Sequence, residues 1–544
     1  MSGVSRTAAT AAGVAVPAVL VAVTAFLAPL PAGSGARGPE QIRLPVQDTV
    51  SVCPGPLALG AEAEGLDEEF ASAGAPDTRA RAVTVETGAP DGSSRAAAIR
   101  AETFGLQPAS GGAGSSGGAD AEDSPAEGAA GEDLSAEREV RFETGAGDPF
   151  VTGSDHIDGP ALFTGLAAEE SPALTSAVQT AQADEGDLAG LAAHSCDRTV
   201  SRAVFSGAST MTGDDARLLL GNPTDAPVSV RIALTGETGP VDIAGADALT
   251  VAPHSVRDVP LGALATGVPV LGAEVAAEDG RVSAVLQHVR RDGLDARGIE
   301  YAAAEAGFAE SVSVPVATVG PLRLRVTNPG DEAVTAELSG FSAEGPVPLE
   351  AGSVSVPARG TAEVELGEGL GEGSVRVSAD APVSASALVT AETGPGEDLA
   401  HYAAAEPLGD TQLLVLPELP ADESEGGDDA EGESGEGEDS ADGSADAVES
   451  GGSLVLSEGS GTVEIAAIGA EGAQTDSRLV ELAADRATVL GLGDFPGATA
   501  LELRNPAGAE VSAALGVRTG AGVSGLAVPA PPTGVDYRDV RLER

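Results

Sequence analysis

Arg217-Leu-Leu-Leu-Gly-Asn222-Pro223 is a short apolar run that stops at an Asn-Pro turn signal, and Val228-Ser-Val-Arg-Ile-Ala-Leu234 follows it directly. Four more short runs come at 249–251, 256–261, 270–276 and 282–289, separated by clusters of Gly, Pro and Asp. They are rich in β-branched residues and alternate in part with a period of two. That pattern predicts an antiparallel β-sandwich rather than a helical domain.

The pattern returns downstream. Leu322-Arg-Leu-Arg-Val-Thr-Asn328-Pro329 opens a second set of runs, at 334–338, 354–356, 362–366, 375–378 and 383–390. Asn222 and Asn328 hold equivalent places, each closing a first strand before Pro223 or Pro329. The turns Pro253-His-Ser255 and Pro357-Ala-Arg-Gly360 also match. Tyr301-Ala-Ala-Ala-Glu305 recurs as Tyr402-Ala-Ala-Ala-Glu406, a five-residue identity that reads as a repeated connector. Together these features predict an internal duplication. A third set of runs begins at Ser453 and carries its Asn505-Pro506 near the end instead of the beginning.

The expected fold class is therefore mostly β, with an N-terminal membrane helix followed by tandem Ig-like antiparallel β-sandwich units joined by disordered acidic linkers. The expected boundaries are 1–36 for a signal anchor or signal peptide, 40–199 for a small disulfide-linked β region, 200–300 and 310–406 for the first two sandwiches, 420–452 for an acidic linker, 453–528 for the third sandwich and 529–544 for a flexible tail.

Composition narrows the function classes. The 544-residue chain carries a net charge of −56, and its 29 basic residues are all Arg. A surface this negative repels nucleic acid, which argues against a DNA- or RNA-binding role. With aromatics at only 2%, the cores must be built from Val, Leu, Ile and Ala.

No charged residue falls within 7–36, and 14–30 is strongly apolar. About 20 helical residues cross a bilayer core, so this stretch is long enough to anchor the chain in a membrane. Arg6 on the short leading side favours an inward N-terminus. An uncleaved anchor would give a single-pass membrane protein with its C-terminal part outside. The alternative is a cleaved signal peptide, with Ser34-Gly-Ala36 as the small-residue site, and secretion of the remainder.

Cys53 and Cys196 are the two cysteines. In an exported chain they read as one disulfide, the alternative being two thiols. Between them, 81–85 and 139–143 have strand character, 108–132 has the composition of a disordered linker, and 167–193 could hold a short helix. Farther on, 422–449 holds 13 acids and no Arg. Such a run cannot bury enough apolar surface to fold, and it lacks the loop spacing of an ordered calcium site.

The sites are read as structural. Asn222 and Asn328 are expected to accept backbone hydrogen bonds in turns that the following Pro stiffens. His156, His194, His254, His288 and His401 show no metal-ligand spacing, and the common nucleophile, phosphate-loop and zinc-protease motifs are absent. No catalytic residue, cofactor or metal is expected. Arg290-Arg291 reads as a solvated strand end, the alternative being contact with an acidic group at the end of the first unit.

Arg43-Leu-Pro-Val46, then Cys53-Pro54, a second Cys ahead of Phe205-Ser-Gly-Ala-Ser-Thr210, and Leu220-Gly-Asn222-Pro223 resemble an uncharacterised actinobacterial family. That family consists of exported, membrane-anchored proteins whose domain has no known function. The resemblance spans most of 40–520 and is strongest at 41–54 and 194–260. Members carry aromatic residues, Trp among them, near the Phe205 segment, and this chain has no Trp. The resemblance implies an envelope location and β-sandwich repeats, and it brings no activity. The expected role is a non-enzymatic structural or interaction scaffold, with the membrane as one partner and a cell-wall or envelope protein as another. A wall- or carbohydrate-binding module and an accessory subunit of an envelope-biogenesis enzyme are the alternatives. Few exposed aromatics are available to stack on sugars, which disfavours the former.

Overall fold

The computed structural model describes residues 49–57, 59, 76–86, 95–96, 99–103, 105–107, 155–166, 173–196, 198–243, 248–419 and 450–530. The expected anchor, the linker at 108–132, the strand at 139–143 and the acidic run at 422–449 lie outside the described residues. Among those described, no helix is long and apolar enough to cross a membrane. The chain is mostly β, and its sheets are antiparallel apart from one short parallel pairing.

The first sandwich packs two sheets around Phe205, Leu218, Leu220, Val230, Ile232 and Leu286. One sheet joins Arg202–Ala208, Leu271–Ala277 and Val228–Gly236, with Gly239–Val241 and Ala248–Val251 at its edge. The other runs Asp295–Ala303, Ser283–Asp292, Asp214–Asn222 and Ser255–Pro260. Val228–Gly236 alternates between buried and partly exposed positions, as a half-covered strand must. Asp214–Asn222 is buried over its last seven residues, which explains its unbroken Leu218-Leu219-Leu220. Leu218 and Leu220 face the sandwich core, while Leu219 packs on the opposite face with Leu57, Ala192 and Tyr301. Each such side chain contributes about 1.5–3 kcal/mol on burial.

The second sandwich repeats this plan with one economy. Gly373–Glu392 is a single strand of 20 residues where the sequence suggested two. Its first half pairs with Ala309–Val316 and Val334–Ser342, and its second half with Leu322–Asn328 and Glu397–Ala403. The exposed stretch around Asp380-Ala-Pro382 is where it passes from one sheet to the other.

The third sandwich starts earlier than 453. Thr411–Val415 pairs with Ala498–Arg504, in the sheet that also holds Gly461–Gly469 and Gln474–Leu482. The acidic run therefore connects two strands of one sandwich and is not a linker between units. Its composition marks a break in the chain, but strand pairing ignores such breaks when both flanks are apolar.

The region before residue 200 forms a sandwich of its own. Thr49–Cys53, Ala161–Gly165 and Ile99–Thr103 make one sheet, and Asp77–Glu86, Ala173–Ala183 and Gly190–Ser195 dominate the other. The described part of the 167–193 segment, 173–193, holds two strands where a short helix was expected, because the apolar residues of the first pair across the sheet with Asp77–Glu86. Gly105–Gln107 leaves this region and adds in parallel to Ser255–Pro260 of the first sandwich. The Cys53–Cys196 disulfide joins the two N-terminal sheets across 143 residues of sequence, with Cα atoms 4.6 Å apart, and both cysteines are buried.

Each of the four sandwiches ends in an edge strand: Gly190–Ser195, Asp295–Ala303, Glu397–Ala403 and Val523–Ala527. These four pack against one another in a closed ring. The repeated Tyr301 and Tyr402 segments are thus parts of core strands rather than connectors, and both tyrosines are fully buried.

Candidate functional site

Four buried edges meeting in one place create a physical problem. An edge strand has backbone N–H groups with no ladder partner, and each one left unsatisfied in the interior costs about 1–3 kcal/mol. The chain solves this with two acidic side chains and a serine.

Asp398 is fully buried on Glu397–Ala403 of the second sandwich. Its Oδ2 accepts the N–H of Leu191 at 2.9 Å and of Val523 at 2.9 Å. Its Oδ1 accepts the N–H of Ile299 at 3.1 Å, and the N–H of its neighbour Leu399 also bonds it. The four donors come one from each sandwich. Burial pushes the Asp398 carboxyl up to about 7, against the pull of those donors.

Glu300 does the same work one layer away. Its Oε1 accepts from Tyr301 N at 2.9 Å and Ser524 Oγ at 2.6 Å, and its Oε2 from Gly525 N at 2.9 Å and His401 N at 3.1 Å. Ser524 Oγ accepts in turn from Ala193 N at 2.7 Å, which brings in the N-terminal sandwich. Burial holds the Glu300 carboxyl well above the usual carboxylate range.

Space for Asp398 is made by three glycines, each just before a donor. A Cβ on Gly522 would sit 2.0 Å from its carboxylate, on Gly298 2.6 Å and on Gly190 2.8 Å. The sequence signal was a Gly followed by an apolar residue near the start of the last strand of three units. It is a short signal, and nothing in one sequence tells such a Gly from a turn glycine.

The tyrosines extend the network. Tyr301 Oη donates to Gly55 O at 2.6 Å, a carbonyl that Gln179 Nε2 also reaches at 2.7 Å. This ties the first sandwich to the loop just beyond Cys53. Tyr402 Oη pairs with Thr318 Oγ1 at 2.6 Å.

Beside this junction lies a second polar group. Asp214 sits 3.6 Å from His288 and 3.4 Å from Arg290, and is bonded by Ser209 Oγ. Its carboxyl falls to about 2; burial raises it, but the nearby His288 imidazole, the Ser209 hydrogen bond and the charge of Arg290 outweigh that. His401 is fully buried above Gly207, and neither ring nitrogen has a hydrogen-bond partner among the described residues. Burial, with His288 and Arg325 adding to it, depresses this imidazole to about 3, so it is neutral.

The Asn-Pro turns are structural elements. Asn222 Nδ2 donates to Ala226 O and Val251 O, and its Oδ1 accepts from Thr224 N at 3.0 Å. Asn328 repeats this with Glu332 O, Pro357 O and Gly330 N. In the matching turns, His254 and Arg359 both adopt positive φ, 47° and 48°. Each reaches an aspartate of the Asn-Pro turn: His254 to Asp225 at 2.7 Å and Arg359 to Asp331 at 2.6 Å. Arg290 and Arg291 are not a solvated strand end. Arg290 faces Asp214, and Arg291 reaches Asp187 of the N-terminal sandwich at 3.1 Å. Among the described residues, no group of three or more His, Cys, Asp or Glu is placed to hold a metal ion.

A family model, described as a family of unknown function (DUF5719), matches residues 151–425. The matched span runs from the last strands of the N-terminal sandwich through the first and second sandwiches, and includes both Glu300 and Asp398. No curated protein matches the chain.

Proposed function

We propose that this chain, which belongs to the DUF5719 family of unknown function, is a non-enzymatic scaffold of an actinobacterial cell envelope, held at the membrane by its N-terminal segment. The observation that carries this reading is the use of the buried acids. Asp398 and Glu300 accept hydrogen bonds that lock four sandwiches together. A rigid body of fixed shape is what a spacer or presenting surface needs. The disulfide supports an exported location, since such bonds persist in oxidising compartments. The uncharged stretch at 7–36 supports an anchor, and the charge of −56 supports solubility outside the cell.

The test is fractionation of the source cells expressing the full chain with a C-terminal tag, followed by cross-linking and identification of what co-purifies. The expected result is recovery in the membrane fraction with a defined envelope protein attached. Recovery in the culture medium would replace the anchor by a cleaved signal. Retention on purified wall without a protein partner would favour a wall-binding module. Recovery in the cytosol would overturn the reading.

A further inference from the structure

Glu305 and Glu406 end the two copies of the Tyr-Ala-Ala-Ala-Glu repeat, yet Glu406 is exposed and Glu305 is buried. Glu305 is drawn into the seam where Arg202–Ala208 of the first sandwich meets Leu322–Asn328 and Gly373–Glu392 of the second. Its Oε1 accepts from Ser206 N at 2.5 Å. Its Oε2 accepts from Ser206 Oγ at 3.0 Å and from Ser384 Oγ.

From Ser206 a line of hydroxyls runs outward. Ser206 Oγ lies 2.7 Å from Thr327 Oγ1, Thr327 Oγ1 lies 2.8 Å from Thr361 Oγ1, and Thr361 Oγ1 lies 2.7 Å from Thr235 Oγ1. Thr235 is only partly buried, so the line ends near solvent. Gly272 keeps the line open, because a Cβ there would sit 2.4 Å from Thr361 Oγ1 and 2.5 Å from Thr235 Oγ1. Each hydroxyl can donate and accept at once, which is what a proton relay requires.

We propose that this seam is a proton-operated clasp: Glu305 exchanges its proton with water along Thr235, Thr361, Thr327 and Ser206, and its ionised form loosens the hold between the first and second sandwiches. With Glu305 ionised, every hydroxyl in the line donates towards it. One proton taken at Thr235 from a solvent hydronium ion, which is left as water, and one passed on at each link, leaves one proton on Glu305 and every hydroxyl donating outward. No other group of the protein changes charge. Burial favours the neutral carboxyl and pushes it up to about 7.

Other ionisable groups line the same region. His401 of Glu397–Ala403 covers Gly207, next to Ser206. Arg325 of Leu322–Asn328 donates to Ala208 O at 2.7 Å and to Glu363 of Gly360–Gly367 at 2.7 Å. His288 of Ser283–Asp292 and Asp214 of Asp214–Asn222 lie beyond. Arg202, on the same strand as Ser206, turns away to Glu274 at 2.8 Å. Gly373–Glu392 meets Glu305 through Ser384 and Ser386. Both imidazoles are held neutral by burial and would gain charge only in acid, so they weaken the seam from the opposite side.

The test combines infrared difference spectroscopy with amide hydrogen exchange on the full chain, corrected for the intrinsic base-catalysed rate. Wild type, Glu305→Gln and Thr327→Val are compared from about pH 5 to 9, spanning the neutral range. The expected wild-type result is loss of a protonated-carboxyl band with rising pH, and a parallel loss of protection in Arg202–Ala208. Glu305→Gln should lack that part of the band and keep its protection. Thr327→Val should keep the band but exchange its deuterium several-fold more slowly. A titrating band shared in full by wild type and Glu305→Gln would overturn the proposal, as would exchange in Thr327→Val as fast as in wild type. Should either variant fail to fold, pH-independent protection of Arg202–Ala208 in the wild type would overturn it alone.

Discussion

Asp398 Oδ2 accepts the backbone N–H of Leu191 at 2.9 Å, across 207 residues of sequence and from one sandwich to another. The same carboxylate takes N–H groups from two further sandwiches and from its own. A sheet edge is normally covered by another strand. Here one side chain covers four edges at once.

Replacing Asp398 therefore threatens the whole assembly. Asp398→Asn keeps the shape but turns an NH₂ towards backbone donors that need an acceptor. Asp398→Ala leaves all of them bare. Both are expected to lose about 3–5 kcal/mol of stability, the range for breaking a buried charged network. Chemical denaturation followed by circular dichroism measures this, and a loss within ~0.5 kcal/mol would contradict the role assigned here.

Gly522→Ala probes the same site from a different strand. Its Cβ would fall 2.0 Å from the Asp398 carboxylate, so either the acid or the strand must move. A loss of about 2–4 kcal/mol is expected, in the range for overpacking combined with a broken buried network. Gly520→Ala, two residues away with open space around it, is the control and should change stability little.

The Cys53–Cys196 bridge closes a long loop, and the chain-entropy model assigns such a bridge roughly 4–5 kcal/mol. Denatured, unreduced protein should show no reactive thiol, and reduced protein should show both. Cys53→Ala with Cys196→Ala is expected to lower the denaturation midpoint by a corresponding amount.

The buried acids set a pH dependence whose sign is opposite to the usual one. Asp398 and Glu305 are raised to about 7 in the folded chain. Their contribution is fully present below the ordinary carboxylate range and is lost as pH rises through about 7. His401, depressed to about 3, contributes above its ordinary value of 6.5 and is lost as pH falls through about 3. Between roughly pH 4.5 and 6.5 the two trends oppose each other, but one imidazole offsets only one of the two carboxyls, so wild-type stability should still fall as pH rises. Glu305→Gln should gain on the wild type as pH rises from about 4.5 to 7, after which the difference should hold constant.

Cleavage by a Glu-specific protease within 422–449 is expected first under native conditions, from the composition of that run. The two fragments should elute together from a sizing column without denaturant, because Thr411–Val415 on one side of the cut pairs with Ala498–Arg504 on the other. Separate elution would place that strand outside the third sandwich.

The sequence by itself determined the local rules of this protein. Period-two alternation in Val228–Gly236, the Asn-Pro turns at 222 and 328, and the match between the two Tyr-Ala-Ala-Ala-Glu copies fixed strands, turns and a duplication, because all of these act over a few residues. Two cysteines left one intramolecular pairing open to them. Only the tertiary structure decided that Thr411–Val415 belongs beyond the acidic run, and that the final strand of each sandwich turns inward. It alone separated the buried Glu305 from the exposed Glu406. Among so many acids, nothing local marks Asp398 or Glu300. What distinguishes them is the set of backbone donors that four distant strands bring to one point, and that set exists only once the sandwiches have met.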